Sequence, residues 1–176
     1  MKDDTEKWRK QFDTIVDLYK GRIMNMLYRI LKNKSDVEDV TQEVFIRIYK
    51  GLPYFRHQSK FTTWLYRIVH NVAISEIRKR KGLTENIEDY QDISQTYALN
   101  GTATLNEKQV KELLNNALDK IPETYKMVLL LYYMEEQTYT EISTIMDIPI
   151  GTVKTYLHRS KKMLRHLLID KATYIQ

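Results

Sequence analysis

The 176-residue chain has no cysteine, which excludes disulfides and thiolate-ligated metals from its fold and chemistry. Its five glycines are each isolated, so there is no glycine-rich phosphate loop, and three prolines are too few for a loop-rich architecture. The longest apolar run, Met127 to Met134, spans eight residues, far short of the roughly 20 a membrane-spanning helix requires. The N-terminal MKDDTEKW is too polar for a secretory signal, so a soluble, cytoplasmic protein without membrane insertion is expected. The four histidines, His57, His70, His158 and His166, show no H-E-x-x-H spacing. His158 and His166 lie too far apart on one helix to share a metal. Paired acids such as Glu135-Glu136 read as solvated helix ends. No metal, cofactor, small-molecule substrate or catalytic residue is expected, and the chain is not read as an enzyme.

What the chain does contain is charge in an uneven distribution. The net charge is +5. Residues 1–81 hold 18 basic and 10 acidic side chains, residues 82–107 hold five acids and no lysine or arginine, and the chain is basic again after Gly151. Two basic modules around an acidic connector fit nucleic-acid binding at both ends.

Helical periodicity dominates, so the fold class is all-α, with two small helical domains joined by a flexible acidic linker. In the first domain, residues 1–82, four helices are expected. One runs from Lys2 to about Lys20 and is interrupted at Gly21. A second runs through Met24, Leu27, Ile30 and Leu31. A third opens at a capping box, Ser35-Asp36-Val37-Glu38, and ends near Gly51-Leu52-Pro53. The fourth, Lys60 to Lys81, carries a core stripe of Phe61, Trp64, Leu65, Ile68, Val72 and Ile77. Residues 83–104 lose the apolar stripe and read as the linker, too long for a loop inside one compact domain. The second domain, 105–170, begins with helices over about 105–120 and 122–135.

Residues Thr138–Leu164 then spell two short helices joined by a tight turn. Thr138 and Glu141 fit a capping box, Ile142, Ile145 and Met146 fit a buried face, and Pro149 suits the first turn of the next helix. On that helix Ile150, Val153, Leu157 and Leu164 recur at helical spacing with Ser160 on the same stripe. Thr155, His158, Arg159 and Lys162 point the opposite way, with Thr152 and Lys154 on the flanks. A solvated basic face is the plainer reading. Hydroxyls and an imidazole for base edges, with cations for phosphates, make a major-groove reader the sharper one.

Two further surfaces stand out. On the helix from Ser35, Val37, Val40, Val44 and Ile48 form the core stripe, while Asp39, Gln42, Glu43 and Ile46 project outward. An exposed isoleucine rimmed by polar groups resembles a protein-docking face. In Tyr54–Lys81, aromatic residues interleave with Arg56, His57, Lys60 and Arg78-Lys79-Arg80-Lys81, a combination suited to single-stranded DNA. Phe61 and Trp64 are expected to be structural, and Asn71 to face outward toward an extruded base.

The segments DVEDVTQEVF, YFRHQSKFTTWLYRIVHNVA and IPETYKMVLLLYYMEEQTYTEISTIMDIPIGTVKTYLHRSKKML, in this order and spacing, resemble the extracytoplasmic-function (ECF) sigma factors of the bacterial sigma-70 family. The resemblance covers nearly the whole chain and implies region 2 over about 1–82 and region 4 over about 105–170. It implies an RNA polymerase sigma factor for promoter-specific initiation, serving a stress or envelope-response regulon. Asp39, Gln42 and Glu43, with Ile46 beside them, would dock on the β′ clamp helices of core RNA polymerase. Phe55, Arg56, His57, Gln58, Ser59, Lys60, Asn71, Arg78 and Arg80 would hold the minus-ten element. Thr152, Lys154, Thr155, His158, Arg159, Lys161 and Lys162 would contact the minus-thirty-five element. The β flap, promoter DNA and an anti-sigma factor are the other implied partners. The family's linker passes near the polymerase active-site cleft and RNA exit path, where Glu85, Glu88, Asp89 and Asp92 would fall. Tyr156, His158 and Pro149 depart from common family residues, so the minus-thirty-five sequence does not carry over from a relative. A stand-alone helix-turn-helix regulator would share the C-terminal module but would need neither the Asp39/Gln42/Glu43 face nor the aromatic loop. A purely helical adaptor would need no role for Lys154, Arg159 or Lys161.

Overall fold

The computed structural model describes residues 2–31, 33–81 and 106–172, and among these every regular element is helical. The elements are α1 (Lys2–Leu31), α2 (Lys34–Gly51), a 3-10 turn (Leu52–Tyr54), α3 (Phe61–Lys81), α4 (Glu107–Lys120), α5 (Glu123–Tyr133), α6 (Tyr139–Met146) and α7 (Ile150–Ala172). No described helix is long and apolar enough to cross a membrane. The acidic connector expected at 83–104 lies outside the described residues. The rest divides into two compact units, one holding α1 to α3 with residues 140–148, the other α4, α5 and α7.

In the first unit α1 is one continuous helix where two were expected. Gly21 faces open space on the exposed side of α1. A glycine there costs about 1 kcal/mol relative to alanine, too little to break a helix anchored on both sides by buried Ile15 and Ile23. Asn33 caps α2, its Oδ1 accepting from the Ser35 amide at 3.1 Å. The expected box on Ser35 is thereby replaced: Ser35 lies inside the first turn, because an asparagine two residues earlier already satisfies that amide.

The core forms where α1, α2 and α3 pack on one another. Ile23, Met26 and Leu27 of α1 meet Val37, Val40, Val44 and Ile48 of α2 and Leu65, Tyr66, Val69, Val72 and Ala73 of α3, all buried. Truncating any of the larger ones to alanine costs about 2–5 kcal/mol. The α2 stripe is as expected. The α3 stripe is rotated: Phe61, Trp64, Ile68 and Ile77 are only half-buried, while Tyr66, Val69 and Ala73 take the core positions. The expected stripe followed the bulkiest side chains, but the buried face is the one pressed by both α1 and α2, and it centres on Val69.

In the second unit α5 is buried along Tyr125–Leu131, as an apolar helix wrapped by neighbours must be. It packs on α7, as does α4. Asn106 and Gln109 close a reciprocal capping box at the start of α4. Pro122 is the N-cap of α5, where its missing amide hydrogen costs nothing.

Candidate docking and nucleic-acid surfaces

Opposite its core stripe, α2 presents Asp39, Gln42 and Ile46 exposed and Glu43 half-buried. Glu43 is held by Arg47 one turn on, Nε to Oε1 at 2.7 Å. Ile46 is 47% exposed, so the apolar spot expected from the sequence is present. The sequence reading missed Tyr49, which is 48% exposed and three residues beyond Ile46, hence on the same face. Phe12 of α1 meets the Tyr49 ring edge-on, centroids 5.1 Å apart, and meets Phe45 in the same way at 6.2 Å. The signal in the sequence is the i, i+3 spacing to Ile46, but spacing alone does not distinguish a surface tyrosine from a core aromatic. Isoleucine and tyrosine among carboxylates form an apolar centre with a polar rim, the anatomy of a protein interface.

At the end of α2 the chain turns through Leu52–Tyr54, with the Phe55 amide donating to the Leu52 carbonyl at 3.2 Å. Phe55 then enters an aromatic nest, its ring 5.1 Å from Trp64 and 5.8 Å from Phe61, which in turn sits 5.9 Å from Tyr19. Gly51 makes room for this nest: a Cβ there would lie 2.9 Å from Cζ2 of Trp64. The loop beyond carries Arg56, His57, Gln58, Ser59 and Lys60, all exposed.

On α3 the outward stripe is Arg67, Asn71 and Arg78, flanked by half-buried Trp64. Arg67, Asn71 and Arg78 lie three, seven and fourteen residues beyond Trp64, so the four share one face at about 100° per residue. Trp64 thus belongs at the edge of this face and joins the loop aromatics to the cations. The His70 ring meets the Asn71 side chain, Nδ1 to Oδ1 at 3.3 Å. Burial is the main reason the His70 imidazole is pushed below its usual value; the bond to Asn71 opposes that shift and the charge of Arg78 adds to it. With Nδ1–H donating to Oδ1, the amide hydrogens of Asn71 remain turned away from the histidine.

Arg80 is differently placed. Its Nη2 lies 2.6 Å from Oδ2 of Asp36, its Nη1 donates to the Leu31 carbonyl at 3.3 Å, and its Nε is 3.4 Å from Glu76. A cation at the last carbonyls of α1 and the first turn of α2 ties three helices together. That guanidinium is committed within the protein.

Before α7 the backbone at Asp147 takes φ 56, a left-handed turn that aspartate tolerates. The Ser143 hydroxyl donates to the Ile148 carbonyl at 2.6 Å and the Ile148 amide donates back to Ser143 at 3.2 Å. Pro149 precedes α7 rather than lying in its first turn, and its carbonyl accepts from Val153 at 3.1 Å. Val153, Leu157 and Ser160 are buried as expected. Ile150, expected on that stripe, is 41% exposed at the first residue of α7. Lys154, Thr155, His158 and Arg159 are exposed, and Thr152 and Lys162 half-buried. The Thr155 hydroxyl donates to the Gly151 carbonyl at 2.9 Å, leaving its lone pairs to accept. Arg159 Nη1 reaches the Tyr125 hydroxyl at 3.4 Å, which steadies it. Tyr156 packs edge-on against Tyr125 at 4.9 Å.

Lys161 parts from this face. It lines a groove of about 390 Å³ with Leu129, Tyr133, Leu164, Arg165, Leu168 and Ile169, between α5 and α7. Its charge also acts on the Tyr132 phenol, which a hydrogen bond to Tyr139 raises above its usual value and Lys161 lowers.

The chain has relatives among known proteins. Residues 15–83 match the family model for Sigma-70 region 2, and residues 111–164 that for Sigma-70, region 4. The second match covers α6 and reaches into α7. The chain is 38% identical to the ECF RNA polymerase sigma factor SigW of Bacillus subtilis, over 90% of this chain and 89% of that protein. It is 29% identical to the ECF RNA polymerase sigma-E factor of Haemophilus influenzae, over 90% and 87%. The fold is similar to the sigma factor RpoE solved in complex with the anti-sigma factor NepR from Bartonella quintana, with a TM-score of 0.69 and 20% identity over 90% of this chain and 97% of that one. A second likeness is CnrH in complex with the cytosolic domain of CnrY, TM-score 0.64 and 17% identity over 91% and 88%. Two regions in the right order, and a relative at this identity along almost the full length of both chains, place the protein in one family: the chain belongs to the ECF RNA polymerase sigma factors.

Proposed function

We propose that this sigma factor grips core RNA polymerase through the outward face of α2, with Asp39, Gln42, Glu43, Ile46 and Tyr49 against the β′ clamp helices. The observation that carries the proposal is the exposure of Ile46 and Tyr49 side by side within a carboxylate rim. Buried in a partner, two such side chains supply the central anchor of a polar interface. The α5–α7 groove, apolar with Lys161 and Arg165 at its edge, suits the β flap.

The loop 55–60 and the α3 face of Asn71 and Arg78 hold the unpaired minus-ten strand. Arg56 and Arg78 follow the backbone, joined by Lys60 once it exchanges Glu141, 2.8 Å from its Nζ, for a phosphate, while aromatic rings and the Asn71 amide take a base turned out of the stack. Strand opening is then driven by binding energy, and the chain has no catalytic chemistry of its own. Thr152, Lys154, Thr155, His158, Arg159 and Lys162 read the minus-thirty-five duplex from the major groove. Arg80 clasps helices, and Lys161 serves the groove. Such a protein works in the cytoplasm beside its polymerase, under the control of an anti-sigma factor and for a stress or envelope regulon.

Two variants separate the steps. Asp39→Ala with Gln42→Ala weakens core binding, and Asn71→Ala leaves core binding intact but slows open-complex formation. Potassium permanganate footprinting of reconstituted holoenzyme reads the second and competition binding reads the first. If both variants behave like wild type, the residue assignments are wrong.

A further inference from the structure

Tyr125 lies in the first turn of α5 and is 4% exposed. Its ring packs edge-on against Tyr156 of α7, centroids 4.9 Å apart and planes at 62°. A phenol this buried needs a partner for its hydroxyl. That oxygen accepts from Nη1 of Arg159 at 3.4 Å, a bond between residues 34 apart in the sequence. Its acceptor thus belongs to the packed side of α5, while its donor stands among the exposed side chains of α7.

Arg159 is one helical turn beyond Thr155, and both are exposed on the face turned away from Val153, Leu157 and Ser160. A cation that only neutralises a phosphate gains little from being held, because phosphate oxygens carry no sequence and accept from many directions. A base edge is more demanding: the O6 and N7 atoms of guanine match the arginine fork in one plane only. Fixing one guanidinium nitrogen on a buried ring restricts the side chain before DNA arrives, so less ordering is left to the binding step. A guanidinium has five donors, and one bond to Tyr125 orients it without exhausting it.

We propose that Tyr125 is a positioning residue that holds the Arg159 guanidinium for a guanine edge in the major groove. One base pair of the upstream element is then read through a buried residue that does not itself touch DNA. The proposal rests on the reading of α7 as the helix that contacts the minus-thirty-five duplex. It adds which of the α7 cations selects a base and what sets its aim.

Holoenzyme is assembled from core RNA polymerase and full-length protein, either wild type or carrying Tyr125→Phe, Arg159→Ala, Arg159→Lys, or Tyr125→Phe with Arg159→Ala. Each is used to enrich duplexes with a randomised segment, and the bound sequences are counted. The preference at each base pair is taken relative to the others in the same selection, so a loss of folded protein leaves the ratios unchanged. Arg159→Ala and Arg159→Lys are expected to erase a guanine preference at one upstream position. Tyr125→Phe, which removes only the hydroxyl, should relax that same position about fivefold and no other. The double variant should match Arg159→Ala alone, because the hydroxyl acts through the guanidinium. An unchanged preference in Tyr125→Phe, while Arg159→Ala erases it, overturns the positioning role. So does relaxation spread over every upstream position, the mark of a purely structural tyrosine. Uniformly weaker binding by Arg159→Ala with no position altered makes Arg159 a phosphate contact and overturns the proposal, leaving α7 on the DNA. An upstream preference that survives Thr155→Ala, His158→Ala and Arg159→Ala combined overturns the α7 reading itself, and the proposal with it.

Discussion

Phe12 of α1 sets its ring edge-on against Tyr49 of α2, centroids 5.1 Å apart and planes at 78°. The contact braces one side of the Tyr49 ring, and so joins the packing of α1 to the exposed face beside Ile46. Tyr49→Ala should weaken binding to core polymerase about tenfold, the scale of an aromatic interface anchor, with a stability change within about 1 kcal/mol. Phe12→Ala should lower stability more, because it also loses Phe45. A double-mutant cycle on core affinity should show coupling of about 0.5–1.5 kcal/mol between the two rings. Additive effects would mean that Phe12 does not aim Tyr49.

The clasp formed by Arg80 predicts a different profile. Its ion pair with Asp36 is about a third exposed on each side, so screening keeps its worth modest. Arg80→Ala should cost about 1 kcal/mol of stability and leave affinity for single-stranded DNA unchanged, whereas Arg78→Ala should weaken that affinity. Urea melts and anisotropy on the same two preparations decide it.

His70 makes stability depend on pH. Its folded pKa is depressed, chiefly by burial, from an unfolded value of about 6.5. The unfolded chain therefore binds the proton more readily, and stability rises with pH across this window. The contribution is fully present above about pH 6.5 and is lost as pH falls through the lowered folded value. His70→Gln should flatten the melting temperature between about pH 7 and 5. A wild-type slope that persists in the variant would assign it to another group.

On α7, Lys154 and Lys161 should separate in their salt dependence. If Lys154 neutralises a phosphate, Lys154→Ala should lower the slope of log affinity against log salt on a duplex upstream element by about 1. Lys161→Ala should leave that slope alone and instead weaken binding to the isolated β flap. Equal slopes for the two variants would give Lys161 the same role as Lys154.

Much of this was legible in the sequence, and the misses have specific causes. The α2 core stripe and the Val153, Leu157, Ser160 stripe follow from helical spacing alone. Helix α3 is pressed from two sides, and its buried face, centred on Val69, could not be told from the bulkier Phe61 and Trp64. The break assigned to Gly21 overweighted propensity against a helix anchored on either side. The cap assigned to Ser35 overlooked Asn33, an equally good acceptor two residues earlier. Lys161 and Arg80 looked like any other cation near a basic face; what distinguishes them is a partner from a distant part of the chain, the α5 groove for one and Asp36 for the other. Tyr49 needed the exposure that only tertiary packing reveals.

The central claim is that this chain directs core RNA polymerase to promoters. The most direct measurement is transcription by core polymerase, with and without the purified protein, on total genomic DNA of the organism that encodes it, with the 5′ ends of all transcripts sequenced. The account predicts a small set of discrete start sites that require the protein. These should share two upstream elements and fade when Asp39 and Gln42 are both changed to alanine. Start sites that are unaltered by adding the protein, while it still binds duplex DNA tightly by itself, would contradict the account and identify a stand-alone DNA-binding regulator instead.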